Sequence, residues 1–223
     1  VKSMTRILNH RGPDRGGIYT DEKFSLGSRR LSIIDLSDEG NMPMYNEKGD
    51  LLIIYNGEIY NFKELRTTLQ SLGYRFSSRT DTEVILHAYE EWGSECLHKF
   101  NGMFAFCIYD LNKKKLFLAR DRLGIKPFYY YYAAGKFIFS SEIKAILLAC
   151  NVLGVPKKVN LSATKEYLNL RYISGDKTLF EGIKKILPGQ FAIFEKGELN
   201  ITEYWDIPIP EKEKISLEGA KNK

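Results

Sequence analysis

An amide, a glycine and a carboxylate stand together at Asn56-Gly57-Glu58, directly after an apolar run over residues 51–55. The run predicts a buried strand, and we expect it to end at these polar residues. Glycine lets a backbone N–H approach a ligand closely, and the Asn56 amide adds a second N–H donor. Two converging donors stabilise an oxyanion, and Glu58 could bind an ammonium group. Asn-Gly is also a common turn sequence, so a plain turn is the alternative.

Two further charged residues could serve such a site. Arg30 lies near the end of a predicted strand over residues 24–31. It either binds a carboxylate through its planar fork or simply covers apolar neighbours with its stem. Asp81 belongs to Thr80-Asp81-Thr82-Glu83, which has the spacing of a capping box. It is therefore expected at a helix N-terminus, where it caps the helix or binds an ammonium group.

The elements that must position these residues follow from periodicity and turn signals. Helices are predicted over residues 2–9, 61–73, 80–93, 142–150 and 162–170, with Asn61 as an N-cap. Strands are predicted over residues 103–109, 115–119, 128–132 and 136–139, joined in one antiparallel sheet, with a further hairpin over 190–204. The charged loop over residues 120–127 is interpreted as a crossover held by ion pairs. These elements together predict an α+β domain.

Composition excludes several classes of protein. The 223 residues are 43% hydrophobic and 27% charged, as in ordinary globular domains. No run approaches the roughly 18 apolar residues of a membrane helix, and no apolar signal segment opens the sequence, so we expect a cytoplasmic protein without a membrane partner. Cys96, Cys107 and Cys150 lack metal or disulfide spacing, and the three histidines stand apart, so no metal site is expected. The net charge of +5 is scattered, which argues against nucleic-acid binding.

Six motifs follow one another along the sequence: Arg11-Gly12-Pro13-Asp14, Arg30-Leu31-Ser32-Ile33-Ile34-Asp35, Asn56-Gly57-Glu58-Ile59-Tyr60-Asn61, Thr80-Asp81-Thr82-Glu83, Gly102-Met103-Phe104-Ala105-Phe106 and Arg120-Asp121-Arg122-Leu123-Gly124-Ile125-Lys126-Pro127. In this order they resemble the class II glutamine amidotransferase domain of glutamine-hydrolysing asparagine synthetases. The resemblance runs from Arg11 to about Trp205, and two later motifs over residues 140–145 and 187–189 favour the asparagine synthetase branch.

The resemblance implies an N-terminal nucleophile hydrolase fold for residues 1–207, a four-layer αββα sandwich with two antiparallel sheets. It implies that Arg30 binds the α-carboxylate of L-glutamine and that Glu58 and Asp81 bind its α-ammonium. Asn56 and the Gly57 N–H would form the oxyanion hole. The remaining residues expected to line the pocket through their backbone are Leu31, Ser32, Ile33 and Ile34.

The resemblance also implies parts that this sequence does not contain. In the family an N-terminal cysteine attacks the carboxamide and releases ammonia. The sequence opens at Val1, within the helix that follows the family's first strand, so we expect an inactive chain with an unpaired sheet edge. Residues 208–223 would be a linker toward a synthetase domain that binds ATP and Mg²⁺ and makes asparagine from aspartate. No cofactor is expected in the amidotransferase domain itself, and a homodimer is a further expectation.

Two other functions remain open from the sequence. A relative without the nucleophile could use the same residues as a scaffold or a small-molecule sensor. An amidotransferase that supplies ammonia to a sugar or an antibiotic precursor would carry the same motifs.

Overall fold

The computed structural model describes residues 1–133 and 135–208, so nearly all of the predicted linker over 208–223 lies outside the described residues. The helices are α1 Lys2–Ile7, α2 Phe62–Ser71, α3 Asp81–Trp92, α4 Cys96–Lys99, α5 Ile143–Val152 and α6 Leu161–Leu170. The strands are β1 Arg15–Thr20, β2 Ser25–Arg30, β3 Met44–Tyr45, β4 Leu51–Ile59, β5 Gly102–Asp110, β6 Lys115–Arg120, β7 Tyr129–Ala133, β8 Lys136–Ser140, β9 Ile183–Lys185, β10 Gln190–Glu195 and β11 Glu198–Glu203.

Within the described part of the chain, the strands form one large antiparallel sheet and two small ones. The large sheet has the order β11-β10-β6-β5-β4-β3, and the small ones are β1-β2 and β8-β7-β9. The prediction that β5, β6, β7 and β8 form a single sheet is therefore wrong. The loop over residues 120–127 carries the chain from the large sheet to a small one, a change of layer that hairpin signals alone do not reveal.

Four layers follow from how the apolar faces are buried. Helices α2, α3 and α4 cover one face of the large sheet, in a core that includes Leu69, Ile85 and Ile53. The two small sheets cover its other face, where Leu26 and Tyr130 belong to one core. Helix α5 packs on the outer side of β7 and β9. The α+β fold with antiparallel sheets is confirmed, and the second sheet layer consists of two pieces.

A cavity of about 680 Å³ separates these two pieces. Edge strands β2 and β8 form its sides, and α1 and α5 contribute to its lining. Its floor includes Ile54, Asn56, Ala105 and Cys107 from β4 and β5. The cavity thus separates two strand edges above a largely apolar floor.

The crossover loop is held by hydrogen bonds between charged side chains and backbone groups, instead of the predicted ion pairs. The Arg120 guanidinium donates to three backbone carbonyls at 2.6–2.7 Å. The buried Asp121 carboxylate accepts from four backbone N–H groups at 2.9–3.2 Å. Arg122 donates to two further carbonyls. Buried loop backbone needs partners because it has left the sheet ladder, and these side chains provide them.

Helix α2 begins at the predicted place, although by a different device. Asn61 occupies the N-cap position without a side-chain cap hydrogen bond. Its amide instead binds the Lys99 carbonyl and the Asn101 N–H, both at 2.9 Å. The residue therefore ties the start of α2 to the segment before β5.

Across residues 1–133 and 135–208, no helix is long and apolar enough to cross a membrane. Within this same described part of the chain, His, Cys, Asp and Glu side chains form no group of three or more suited to a metal ion.

Candidate active site

The residues Asn56, Gly57 and Glu58 lie inside strand β4, which continues to Ile59. The expected strand end after Tyr55 is therefore wrong, and so is the turn alternative. Asn56 pairs with Ala105, and the next two residues pair along β5 in the same register. Ladder hydrogen bonds with a long buried neighbour override the local turn preference of Asn-Gly.

The Asn56 side chain has a buried donor without a partner. Alternation along β4 puts Asn56 on the same face as Leu52 and Ile54, toward the cavity that it lines. Its amide nitrogen Nδ2 is buried and has no hydrogen-bond partner among the described residues. Leaving such a group unpaired costs about 1–3 kcal/mol. The position thus suits a ligand group that accepts a hydrogen bond from Asn56 Nδ2.

The Gly57 N–H points to the outer edge of β4. On that edge the Tyr55 N–H donates to the Met42 sulfur at 3.2 Å, and the Ile59 N–H donates to Asp81 Oδ2 at 2.9 Å. Every second residue of an antiparallel strand turns its N–H to the same edge. Gly57 lies between these two residues, so its N–H is directed away from β5 as well.

Only glycine fits at position 57. A Cβ built there would lie 2.7 Å from the Phe104 Cα and would also contact the Met103 carbonyl oxygen within β5. Both contacts are with backbone, which cannot move aside without breaking the ladder. The close approach of β4 and β5 at this point therefore depends on Gly57.

Two carboxylates lie near the outer end of β4. Asp81, the first residue of α3, is 5% exposed, and its Oδ2 accepts hydrogen bonds from the Tyr55 hydroxyl at 2.8 Å and from the Ile59 N–H at 2.9 Å. Burial raises the pKa of Asp81, these hydrogen bonds oppose the rise, and the nearby charge of Glu58 adds to it. A positive charge placed here would relieve both burial and repulsion.

Arg30, the last residue of β2, is 7% exposed and already forms hydrogen bonds. Its Nη1 donates to the Ser37 carbonyl at 2.9 Å and to Asn41 Oδ1 at 3.0 Å, and its Nη2 donates to the Asp35 carbonyl. The guanidinium therefore holds the loop over residues 31–41 together. A ligand carboxylate would have to share or replace these bonds.

The loop residues predicted to line the pocket are mostly exposed. Leu31 and Ile33 are 56% and 71% exposed, and Ile34 is also exposed. The Ser32 N–H donates to Asp14 Oδ2 at 2.8 Å, which fixes the start of the loop. These backbone groups lie beside the buried Arg30, and their apolar side chains face outward.

The Asp35 carboxylate joins this loop to the segment before α3. It accepts hydrogen bonds from the Ser37 N–H at 2.8 Å and from the Arg79 N–H at 3.0 Å. Hydrogen bonds from Ser37 and from the Arg79 N–H lower the pKa of Asp35 to about 2. Asp35 stays ionised at neutral pH and thereby couples the Arg30 loop to the segment that carries Asp81.

The structure thus brings together only part of the predicted set. Asn56 lines the cavity, and Gly57, Glu58 and Asp81 lie at the outer part of the same strand or against it. Arg30, at the end of β2, and the loop residues 31–34 after it do not line that cavity. Sequence reasoning missed Tyr55, whose polar tip in an apolar run was the available signal.

The three cysteines are not arranged as nucleophiles. Cys96, Cys107 and Cys150 are free and buried. Cys107 lines the cavity floor, but burial raises the pKa of its thiol. Burial likewise raises the pKa of the other two thiols, so all three disfavour the reactive thiolate.

The layered antiparallel fold has a counterpart among solved structures. The glutamine phosphoribosylpyrophosphate amidotransferase from Bacillus subtilis, solved with ADP and GMP, superposes with a TM-score of 0.58. The match covers 81% of this chain and 35% of that chain at 18% identity. This likeness shows the fold alone.

The sequence family agrees with this fold. A family model described as a glutamine amidotransferase domain matches residues 1–205, so the chain belongs to that family. A Methanocaldococcus jannaschii protein provisionally named glutamine-hydrolysing asparagine synthetase 2 is 39% identical over 245 residues. The glutamine-hydrolysing asparagine synthetase 3 of Bacillus subtilis is 41% identical over 207 residues.

These relatives are much longer than the chain. The matches cover 99% and 92% of this chain, but only 47% and 33% of the respective relatives. The chain therefore spans between a third and a half of their length.

Proposed function

We propose that this chain is the glutamine-hydrolysing domain of an asparagine synthetase. It would release ammonia from L-glutamine for the ATP-dependent conversion of aspartate to asparagine by a synthetase domain of the same protein. Family membership and the names of the relatives support the proposal. The observation that carries it is the unpartnered, buried Asn56 Nδ2 beside the outward N–H of Gly57.

The charged side chains around β4 complement the α-ammonium and α-carboxylate groups of a free amino acid. Glu58 and Asp81 would bind the α-ammonium group, which the raised pKa of the buried Asp81 favours because a cation would stabilise the ionised form. Arg30 would bind the α-carboxylate once the ligand shares the hydrogen bonds that now hold residues 35–41. Backbone groups of residues 31–34 would complete the pocket.

The proposed reaction uses the two donors where charge develops. A thiolate adds to the carboxamide carbon, and the carbonyl oxygen takes up the displaced electron pair. Asn56 Nδ2 and the Gly57 N–H would stabilise that oxyanion. The C–N bond then breaks as the nitrogen gains a proton and leaves as ammonia, and water cleaves the thioester to give glutamate.

We propose that the thiolate belongs to a cysteine at the N-terminus of a strand that fits between β2 and β8. The cavity there has the two strand edges and the Asn56 side chain along its floor. The same proposal locates the ATP and Mg²⁺ sites outside residues 1–207. A cytoplasmic location is also proposed, and the three free thiols agree with it.

Glutamate release from L-glutamine by a protein that carries the natural residues upstream of Val1 tests the proposal. We expect hydrolysis, and asparagine formation from aspartate and ATP when the natural downstream residues are present too. Binding of glutamine without hydrolysis would favour a sensor instead. Hydrolysis without transfer to aspartate would favour an amidotransferase with another acceptor.

A further inference from the structure

His87 lies in the middle of α3, 2% exposed and between two carboxylates. Its Nδ1 is 3.0 Å from Glu90 Oε2, and its Nε2 is 3.8 Å from Glu83 Oε1. The Nε2 atom is buried and has no hydrogen-bond partner among the described residues. The rings of Tyr74 and Phe76 pack against the imidazole at 5.0 and 4.7 Å between centroids. Such an enclosed imidazole interacts chiefly with these two carboxylates.

Glu83 uses its carboxylate to hold the segment that leads into α3. Its Oε1 accepts from the Ser77 N–H at 2.8 Å and from the Ser77 hydroxyl at 3.0 Å. Its Oε2 accepts from the Ser78 N–H and the Ser78 hydroxyl, both at 2.7 Å. The predicted capping box is present only in part, because Thr80 caps the Glu83 N–H at 3.3 Å while the Glu83 carboxylate binds further upstream.

This segment reaches both halves of the proposed glutamine site. Thr80 is the N-cap of the helix whose first residue is Asp81. One residue earlier, the Arg79 N–H anchors Asp35, and the Asp35 carbonyl accepts from Arg30. A shift of residues 77–80 would therefore displace the ammonium-binding and the carboxylate-binding residues together.

The other charged groups around His87 come from neighbouring elements. Arg66 of α2 lies 3.9 Å from Glu83, and Lys48, in the turn before β4, lies 3.2 Å from Glu90. Burial lowers the pKa of His87, but Glu83 and Glu90 together outweigh this and raise it to about 9. Burial raises the pKa of Glu83, yet the nearby His87 and the hydrogen bonds from Ser77 and Ser78 bring it to about 2. His87 is thus a positively charged imidazolium at neutral pH.

We propose that His87 is a positioning residue for the glutamine site, whose positive charge keeps the Glu83 carboxylate fixed on Ser77 and Ser78. This inference rests on the proposed function for its effect on glutamine. The effect on the segment itself does not depend on that function. Two readouts therefore separate the two claims.

The first experiment measures amide hydrogen exchange of residues 77–79 in the 223-residue chain. His87→Gln removes the charge, and we expect exchange to become faster by about tenfold at neutral pH, the loss of one charge-assisted interaction. His87→Lys restores a cation and should keep exchange close to the original rate. His98→Gln is the matched control, because His98, on α4, is half exposed and lies 3.9 Å from Glu95.

The pH dependence of amide exchange tests the direction of the His87 effect. Because the pKa of His87 is raised above its usual value of 6.5, its contribution is complete below that value and is lost as pH rises through about 9. The original chain and His98→Gln should both lose protection of residues 77–79 over that interval, because both retain His87. His87→Gln should show no such loss. Equal exchange in the original chain and His87→Gln, or equal impairment in His87→Gln and His87→Lys, would overturn the proposal.

The second experiment measures glutamine kinetics in the hydrolytically active protein. His87→Gln should raise KM and leave kcat unchanged, since His87 touches no reacting atom. His87→Lys should keep KM near the original value. If the protein that carries the natural residues upstream of Val1 does not hydrolyse glutamine at all, the proposed function fails, while the exchange data still decide the role of His87. Faster exchange with an unchanged KM would overturn the link to the glutamine site.

Discussion

The Tyr55 hydroxyl donates a hydrogen bond of 2.8 Å to the Asp81 carboxylate, across a separation of 26 residues. The same Asp81 oxygen accepts from the Ile59 N–H, so α3 is bonded to the edge of β4 at two points. Tyr55 and Ile59 flank the residues proposed for the oxyanion hole. The bond therefore joins the proposed ammonium site to the strand that carries the proposed catalytic groups.

Tyr55→Phe should weaken glutamine binding without changing the fold. The substitution removes a donor from a buried carboxylate, a change worth about 1.5–3 kcal/mol for a charged partner. The pKa of Asp81 should rise further, because the Tyr55 hydrogen bond lowers it. We expect the glutamine KM of the active protein to rise roughly tenfold. Tyr60→Phe, at an exposed neighbouring position, should leave KM unchanged; equal effects of the two substitutions would argue against the bond.

Glutamine binding should fail at acidic pH because of Asp81. Burial raises the pKa of this carboxyl, so folding disfavours its ionised form and the carboxylate is lost at a higher pH than in an ordinary aspartate. Binding of an ammonium group needs the ionised form. The acid limb of kcat/KM should therefore lie above about pH 3.9. Asp81→Asn should abolish that limb and raise KM, and a limb that persists in Asp81→Asn must belong to another group.

Arg30→Ala should raise the glutamine KM steeply and leave ammonia-dependent synthesis near normal in the full-length enzyme. Truncating one partner of a buried charge pair costs about 2–5 kcal/mol. The structure adds a second effect, because three hydrogen bonds to residues 35–41 are lost as well. Arg30→Lys keeps the charge but not the planar fork of the guanidinium. Its glutamine KM should therefore lie between that of the original protein and that of Arg30→Ala.

Arg15→Ala is the control for this prediction. Arg15 is exposed, and its side chain makes a long contact of 3.4 Å with Asp38 in the same region. Its removal should change KM little. An unchanged KM in Arg30→Ala would remove Arg30 from the proposed site.

Asn56→Ala should reduce turnover and spare stability. Loss of one oxyanion donor lowers kcat by about 10²–10³. The Asn56 Nδ2 has no partner among the described residues, so the substitution breaks no hydrogen bond and should not lower Tm. Asn61→Ala is the matched opposite, because that amide makes two bonds at 2.9 Å and lies outside the proposed site. It should lower Tm and leave kcat unchanged; a fall in Tm with normal kcat in Asn56→Ala would contradict the role.

The fold was largely predictable because its elements carry strong local signals. Period and caps located the helices, and apolar runs located the central strands of the large sheet. Assignment of strands to sheets was not predictable, since Lys115–Arg120 and Tyr129–Ala133 have equally good strand patterns but belong to different layers. The length of β4 was missed for the same reason. Its end is fixed by pairing with β5 and not by Asn56-Gly57.

The motifs identified the residues of the proposed site but not how they are held. Spacing put Asp81 at a helix start, which the structure shows, but only the tertiary fold reveals its bond to Tyr55. Likewise, the sequence suggested that Arg30 is available to bind a ligand carboxylate, whereas its guanidinium already donates to loop carbonyls. Long-range bonds of this kind leave no periodic signal. The roles of these residues toward glutamine stay predictions.

The cavity between β2 and β8 leads to the last prediction: the chain of 223 residues should not hydrolyse glutamine, and a strand in this cavity should restore hydrolysis. No cysteine of the chain is set up as a thiolate, and burial raises the pKa of Cys107 on the cavity floor.

Cys107 also provides a probe of whether the strand occupies the cavity. While the cavity is open, a small thiol reagent should label it faster than Cys96, which does not line the cavity. Three proteins test this: the chain, the chain with its natural upstream residues, and the latter with its N-terminal cysteine changed to alanine. Only the second should release glutamate, whereas the second and third should both protect Cys107, as peptide mass spectrometry would show. Comparable turnover by the chain alone would show that the nucleophile is wrongly assigned, and unprotected Cys107 in an active protein would show that the strand binds elsewhere.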